Sequence, residues 1–506
     1  MEETTSSFWG NRLVILLVLL AFALGLGIRL FDLTDLPLDF NPTRQLFSAI
    51  KARGMYYQYA AGIPDWQREM AIAQWQAKPD VEPPVIETLT AGLYLLFGEH
   101  LWFGRLIAST FWLLGGLALY ALARRIASPD GALLALLYYL FLDFAVIASR
   151  SFQPDPLMVG LTLSALWAFD RWLDARTWKW TLMAGALAGL AIFVKNVAVF
   201  PLLGGFALML VSVRGWRAAL RDGQMWTLAL LAALPTLVYL ANGLYISKDV
   251  ELAVGLRFFP NLWVDPGFYV RWKNIVSNTL GFGPFLLALL GVFLVRAGRE
   301  RALLVGALLG YLAYGFALSY HITTHNYYQL PLIVFISLSL AVVGKTLFEA
   351  LARVNGPRLW VRLAVGAILL VGVGAEMWAV RVELVRDDFR SEPQFWAALG
   401  DKLGHTTPVL GLTQDYGNRL EYWGWQYVEE WPTTGDQNLR ELAGKAKTFE
   451  EIFADRIAGK RYFVVTNFNQ YDRQPELKER LISTYPLLEQ TPDYLIFDLA
   501  HPLDQP

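Results

Sequence analysis

The chain of 506 residues is 55% hydrophobic, 14% aromatic and only 17% charged, with a mean hydropathy of +0.37; this excludes an ordinary soluble enzyme and indicates a polytopic membrane protein. A net charge of −1 offers no basic field to neutralise nucleic-acid phosphates, which argues against a DNA or RNA partner. Cysteine is absent, so disulfides, thiolate metal sites and a cysteine nucleophile are excluded.

The N-terminal stretch MEETTSSFWGNR has two acidic residues and only Arg12 ahead of the first apolar run. No small-residue cleavage pattern ends that run, so it reads as a retained anchor. Apolar stretches then recur at 13–31, 101–123, 131–148, 156–170, 181–195, 197–213, 226–244, 279–295, 302–320, 330–348 and 361–380. That predicts a mainly α fold, a bundle of about eleven spans, some short of the roughly 20 residues of a full crossing and therefore tilted, buried or broken. Alternate connectors concentrate arginine and lysine, from Arg124 and Arg125 through Arg214, Arg217 and Arg221 to Arg358 and Arg362, which assigns them to the cytoplasm.

The other connectors are then external: a long loop over 32–100, the link ASRSFQPD, the junction at Lys195, the loop 245–278 and YHITTHNYYQ. Within the first loop, TRQLFSAIKARGMYYQYA and PDWQREMAIAQWQAKP read as amphipathic helices of the kind that lie along a membrane interface. After Val380 the composition changes to evenly spread charges and short β-like runs, PVLGLT, RYFVVTN and YLIFDL, with polar helical stretches such as QPELKERLIS between them. We read 1–380 as the membrane domain and 381–506 as a small extracytoplasmic α/β domain. The N-terminus is then cytoplasmic, and no internal repeat supports a transporter built from inverted halves.

An ionisable group beside a membrane cavity is costly, so each such group is a candidate for function. In LPLDFNPTRQLFSAI, Asp39 is either a helix cap, a task for which Asn41 is better placed, or a general base able to take a proton from an acceptor hydroxyl. Glu82, before the double proline of VEPPVIETLT, is either a solvated loop carboxylate or a cavity group; Glu87 is a helix-start charge or a cavity ligand. SRSFQPDPLM places Arg150 and Asp155 at the external boundary of two spans, where a mutual ion pair is the plain alternative. Lys195 joins two short spans with no loop, leaving its ammonium little route to bulk water, and this favours anion binding over snorkelling. In HITTHNYYQLP, His321 and His325 lack a third ligand of matching spacing, which speaks against a metal pair, whereas His325 or Tyr328 donating to a phosphate fits the pattern.

The order of these features resembles the GT-C superfold of integral membrane glycosyltransferases, in particular the branch holding the protein O-mannosyltransferases and the lipid A aminoarabinose transferases. The resemblance runs over residues 10–345 and rests on an acid just after the first span, RQLFSAIKAR, VEPPVIETLTAGLYLLFGEHLWFGRL, SRSFQPDPLM, GLAIFVKNVAVFPLL and HNYYQLP. It implies transfer of a sugar from a polyprenyl-phosphate carrier, on the external face of the cell membrane, to a lipid, glycan or protein acceptor. The family's base maps onto Asp39; Arg44 and Gln45 match the polar face of the next helix. Glu82, Asp155, Lys195 and His325 match recurring cavity, donor or phosphate positions. The family usually has a second acid directly after the base, whereas this chain has Phe40.

The chemistry stands without the family. A sugar phosphate carries a good leaving group, so an enzyme needs a base for the incoming hydroxyl and positive charge where the phosphate departs. One carboxylate suffices for inversion, while retention through a covalent intermediate needs a second close one. The expectation is inversion, with Asp39 as base and Lys195, Arg44 and His325 on the phosphate; no metal site is assigned, and a divalent cation is compatible but not required. A lipid-linked sugar flippase is the alternative of a different class.

Overall fold

The computed structural model describes residues 8–79, 82–243, 257–355 and 359–503. The anchor reading of residues 1–7, and the part of the predicted loop 245–278 up to residue 256, lie outside the described residues. Contacts divide the chain into two compact units: Met1–Leu33, Asp80–Ile86 and Arg105–Asp387 form the first, and Thr34–Pro79, Glu87–Gly104 and Asp388–Pro506 the second.

The first unit is helical and belongs in a membrane. Among the described residues six helices are long and apolar enough to cross one: Asn11–Leu30, Trp102–Ile126, Asn196–Arg214, Gly223–Asn242, Asn326–Arg353 and Leu359–Leu384. The number rises to eight if two bent pairs each count as one span. In the first of these pairs the predicted stretch 131–148 is interrupted. Pro129–Phe141 gives way to Asp143–Ser149 at an angle of 62°, the break falling at Leu142 (φ −50°, ψ 125°), just before Asp143. In the second, Pro266–Leu280 and Phe282–Leu294 meet at 98° across Gly281, whose φ of 80° lies where only glycine is comfortable. The predicted stretches 181–195 and 156–170 correspond to Trp178–Val194 and Asp155–Ala175. Composition locates apolar runs well; a single charge or glycine decides whether a run is one rod or two.

Close packing holds this unit together. Helix Val199–Arg214 crosses helix Arg299–Ala317 at glycines on both sides: a Cβ on Gly204 would lie 2.1 Å from the Gly306 carbonyl oxygen, and one on Gly306 would lie 2.2 Å from that of Gly204. A Cβ on Gly310 would likewise lie 2.3 Å from the Phe200 carbonyl oxygen. Small residues one turn apart let backbones touch where lipid supplies no hydrophobic drive for helices to associate.

The second unit contains a mixed five-stranded sheet of order β2-β1-β3-β5-β4, with β1 Val409–Leu412, β2 Val428–Glu430, β3 Tyr462–Val465, β4 Leu487–Gln490 and β5 Leu495–Asp498. The three strands expected from sequence are β1, β3 and β5, the central ones, and QPELKERLIS forms helix Pro475–Thr484. Strands β2 and β4 are the short or exposed edges, too polar to stand out by pattern. The expected amphipathic helices are Pro42–Tyr57 and Asp65–Ala77. They pack at Gly54, where any Cβ would fall 2.4 Å from that of Trp75. Arg53 then ties the first to helix Asn418–Gly424, donating to the Tyr422 carbonyl at 2.5 Å while its guanidinium lies 3.9 Å from the centre of the Tyr422 ring and 4.2 Å from that of Trp425.

Candidate active site

In the first unit, three helix ends deliver polar groups to one place. Helix Trp178–Val194 stops at Lys195, which is extended (φ −155°, ψ 114°), and the chain resumes at once in the turn Asn196–Ala198. The ammonium is only 3% exposed and does not snorkel. It donates to both carboxylate oxygens of Asp155 at 3.0 and 2.9 Å, and Glu82 lies 3.7 Å away. Asp155 opens helix Asp155–Ala175 between two prolines, where the helix dipole favours a carboxylate. Asp155 pairs with Lys195, while Arg150 donates to the carbonyls of Phe31 and Asp32 at 2.7 and 3.0 Å.

The third contributor is the segment before the late span. Lys195 sits 5.1 Å from the centre of the Tyr327 ring and 5.7 Å from that of Tyr328. Tyr328 packs on His325 at 5.5 Å and on His321 at 5.6 Å, and the two imidazoles stack at 5.4 Å. Burial, with His325 and Arg257 nearby, pushes His321 down to about 3, so it is neutral at physiological pH. A relay fixes this segment from behind. Trp272 donates to the Tyr311 hydroxyl at 2.7 Å, Tyr311 donates to the Gln329 amide oxygen, and the Gln329 amide nitrogen donates to the Ile322 carbonyl at 2.7 Å. Glu82, Asp155, Lys195, His325 and Tyr328 therefore lie together in this unit. His321, Tyr311 and Gln329 join them; the signal for His321 was its place in HITTH, whereas nothing local marked Tyr311.

In the second unit Asp39 is not a helix cap. Asn41 precedes helix Pro42–Tyr57 in the left-handed conformation (φ 46°, ψ 61°), with no side-chain capping bond. The Gln45 amide instead donates to the Asp39 carboxylate at 3.2 Å and to the Phe40 carbonyl at 2.7 Å, holding the acid in a set orientation. Arg44 lies 5.8 Å from the centre of the Phe47 ring. Glu87 is buried and accepts from Ser48 at 2.7 Å. Burial raises its pKa, opposed by Ser48, Lys51 and Arg44. Among the described residues no group of three or more histidines and carboxylates forms a metal cage.

Residues 81–240 match the family model of the dolichyl-phosphate-mannose-protein mannosyltransferases. The fold is that of ArnT from Cupriavidus metallidurans, solved bound to undecaprenyl phosphate: the TM-score is 0.59 at 17% identity, over 96% of this chain and 98% of that one. The chain is thus similar to that family over those residues and shares its fold with ArnT over nearly its whole length. The archaeal oligosaccharyltransferase AglB from Archaeoglobus fulgidus, in complex with an inhibitory peptide and a dolichol-phosphate, is similar in fold at TM-score 0.57 and 12% identity, over 98% of this chain and 77% of that one. No curated protein matches the sequence.

Proposed function

We propose that the protein transfers a sugar from a polyprenyl-phosphate carrier to an acceptor hydroxyl of a lipid, glycan or protein on the extracytoplasmic face of the cell membrane, inverting the anomeric carbon. In this reading the N-terminus is cytoplasmic, the bundle has about eleven crossings, counting short and broken helices, and 381–506 forms an extracytoplasmic domain beyond the membrane domain 1–380. The observation that carries the proposal is the buried Lys195 ammonium, held by Asp155 and ringed by Tyr327, Tyr328 and His325. Burying a cation there is costly and needs a purpose beyond packing.

Lys195 has three N–H donors. Two are engaged by the Asp155 oxygens, and the contact to Glu82, at 3.7 Å, is beyond hydrogen-bond length. In this reading the donor phosphate is drawn to the positive charge of the Lys195 ammonium. Asp39 receives the acceptor's proton as the acceptor oxygen bonds to the anomeric carbon; the bond from that carbon to the phosphate oxygen breaks, and polyprenyl phosphate leaves with the bonding pair. Arg44, His325 and Tyr328 add donors for the phosphate or sugar, and Gln45 orients the base. With Phe40 beside Asp39 in place of a second acid, direct displacement is the simpler course. The lipid phosphates in the ArnT and AglB structures support the class of donor.

The test is a proteoliposome assay with a polyprenyl-phosphate sugar and a hydroxyl acceptor. Expected are one released polyprenyl phosphate per new glycosidic bond of inverted configuration, and a rate at least about 100-fold lower for Asp39→Asn with unchanged melting. Wild-type turnover by a folded, inserted Asp39→Asn protein would remove Asp39 as the base. Movement of an unchanged donor across the bilayer would replace the transferase reading with that of a flippase.

A further inference from the structure

The first unit has a polar cavity of about 800 Å³ toward the C-terminal end of helix Leu330–Asn355, the end away from Tyr328. It takes in Arg125 at the end of Trp102–Ile126, Arg296 after Phe282–Leu294, and Lys345 and Arg353 near the end of Leu330–Asn355. Lys345 lies fifteen residues along its helix from Leu330, about 22 Å from the end that carries Tyr328. That separation approaches the thickness of a bilayer's hydrocarbon core. None of the catalytic assignments above uses this cavity.

Its charges are not equivalent. Arg125 is committed to Asp170 and Asp174, and Arg353 to Glu349 at 3.5 Å. Of the lining acids, Asp130 accepts from the backbone of Phe8 and Trp9 at 2.8 and 3.3 Å, Glu349 is taken by Arg353, and Glu300 lies 4.0 Å from Arg299. Two cations remain, Arg296 and Lys345, with no ion pair among the described residues. The cavity also adjoins an apolar surface. Leu294 lines it, and the same helix presents Leu290 and Phe293 outward, Phe293 at 77% exposure; on the facing helix Leu347 is exposed too. A cationic hollow at one end of a bundle, opening onto exposed leucines and a phenylalanine, has the two-part chemistry of a phospholipid.

We propose that this cavity seats the phosphate headgroup of an anionic membrane phospholipid on Arg296 and Lys345, with its acyl chains along the outward face of Phe282–Leu294. Basic pockets between membrane helices on the positively charged side bind anionic headgroups in this manner. The lipid would be a structural ligand, separate from the sugar donor.

The experiment is native mass spectrometry of the full-length protein in detergent, titrated with phosphatidylglycerol, phosphatidylcholine or soluble glycerol phosphate. Phosphatidylglycerol should be retained in preference to phosphatidylcholine, and about five-fold more weakly for each of Arg296→Gln and Lys345→Gln. Lys345→Arg, which keeps the charge, and Arg217→Gln, away from the cavity, should bind as wild type does, so that a fold defect is recognised. Wild-type preference for phosphatidylglycerol in the Arg296→Gln/Lys345→Gln protein would overturn the proposal. So would competition by glycerol phosphate as strong as that by the lipid, which would make this a free phosphate site.

Discussion

Helix Asp155–Ala175 carries buried acids at both ends, and the two ends solve the same problem differently. At the C-terminal end Asp170 and Asp174 meet Arg125 and Arg299, each arginine reaching both carboxylates. Two cations face two anions, and the lattice ties Trp102–Ile126 and Arg299–Ala317 to the helix between them. At the N-terminal end one ammonium stands between Asp155 and the more distant Glu82, beside a stack of aromatic rings. Charge is balanced where the cluster only needs to hold helices. At the N-terminal end the paired ammonium is set beside aromatic rings, where the proposed transfer would seat the donor phosphate.

The sharpest way to break this contrast is to remove one member from each cluster. Asp170→Asn leaves two arginines short of a buried partner, and we expect a loss of about 3–5 kcal/mol in stability, read as a lowered melting temperature in detergent. Turnover per folded molecule should stay near wild type; a selective loss of turnover with unchanged melting would make the balanced end part of the active site. Lys195→Met should do the reverse, lowering turnover by about 10²–10³-fold while the methionine fills the cavity. Destabilisation as large as that of Asp170→Asn, with turnover intact, would reduce Lys195 to a structural residue.

A smaller effect concerns His321. Its pKa in the folded protein lies near 3, below the 6.5 of an unperturbed histidine. As pH falls below 6.5 the unfolded chain takes up a proton that the folded one refuses, so stability declines from there down to about pH 3. Between pH 7.5 and 5.5 the wild type should lose about 1 kcal/mol more than His321→Gln does. Parallel melting profiles for the two proteins would show that the histidine is not held neutral.

Much of this was legible in the sequence, for a definable reason. Lys195, Asp155 and Glu82 stand out because a charge in an apolar run is expensive and therefore conspicuous. The sequence shows that cost without showing which group offsets it. Asp155 has Arg150 as its near neighbour in the chain, and its partner proves to be Lys195, 40 residues on. In the second unit the same limit hides the link from the first-loop helices to the C-terminal part. Lys78 pairs with the buried Glu421, and Gln74 donates to the Glu421 carbonyl at 2.9 Å, contacts that no local pattern could announce. Edge strands β2 and β4 went unseen because pairing on one side relaxes the demand for alternating apolar residues.

The glycine crossing in the middle of the first unit sets a gauge for the candidate site. Helix Val199–Arg214 begins just after the turn that follows Lys195, and helix Arg299–Ala317 ends just before Ser319–Thr324, which carries His321. Because Gly204 and Gly306 put the two rods in backbone contact, the spacing of ammonium and imidazole is decided at the crossing and projected outward, as the opening of calipers is decided at the pivot. Side chains around the rim can be exchanged one at a time. A single methyl group added at the pivot would be magnified at the tips.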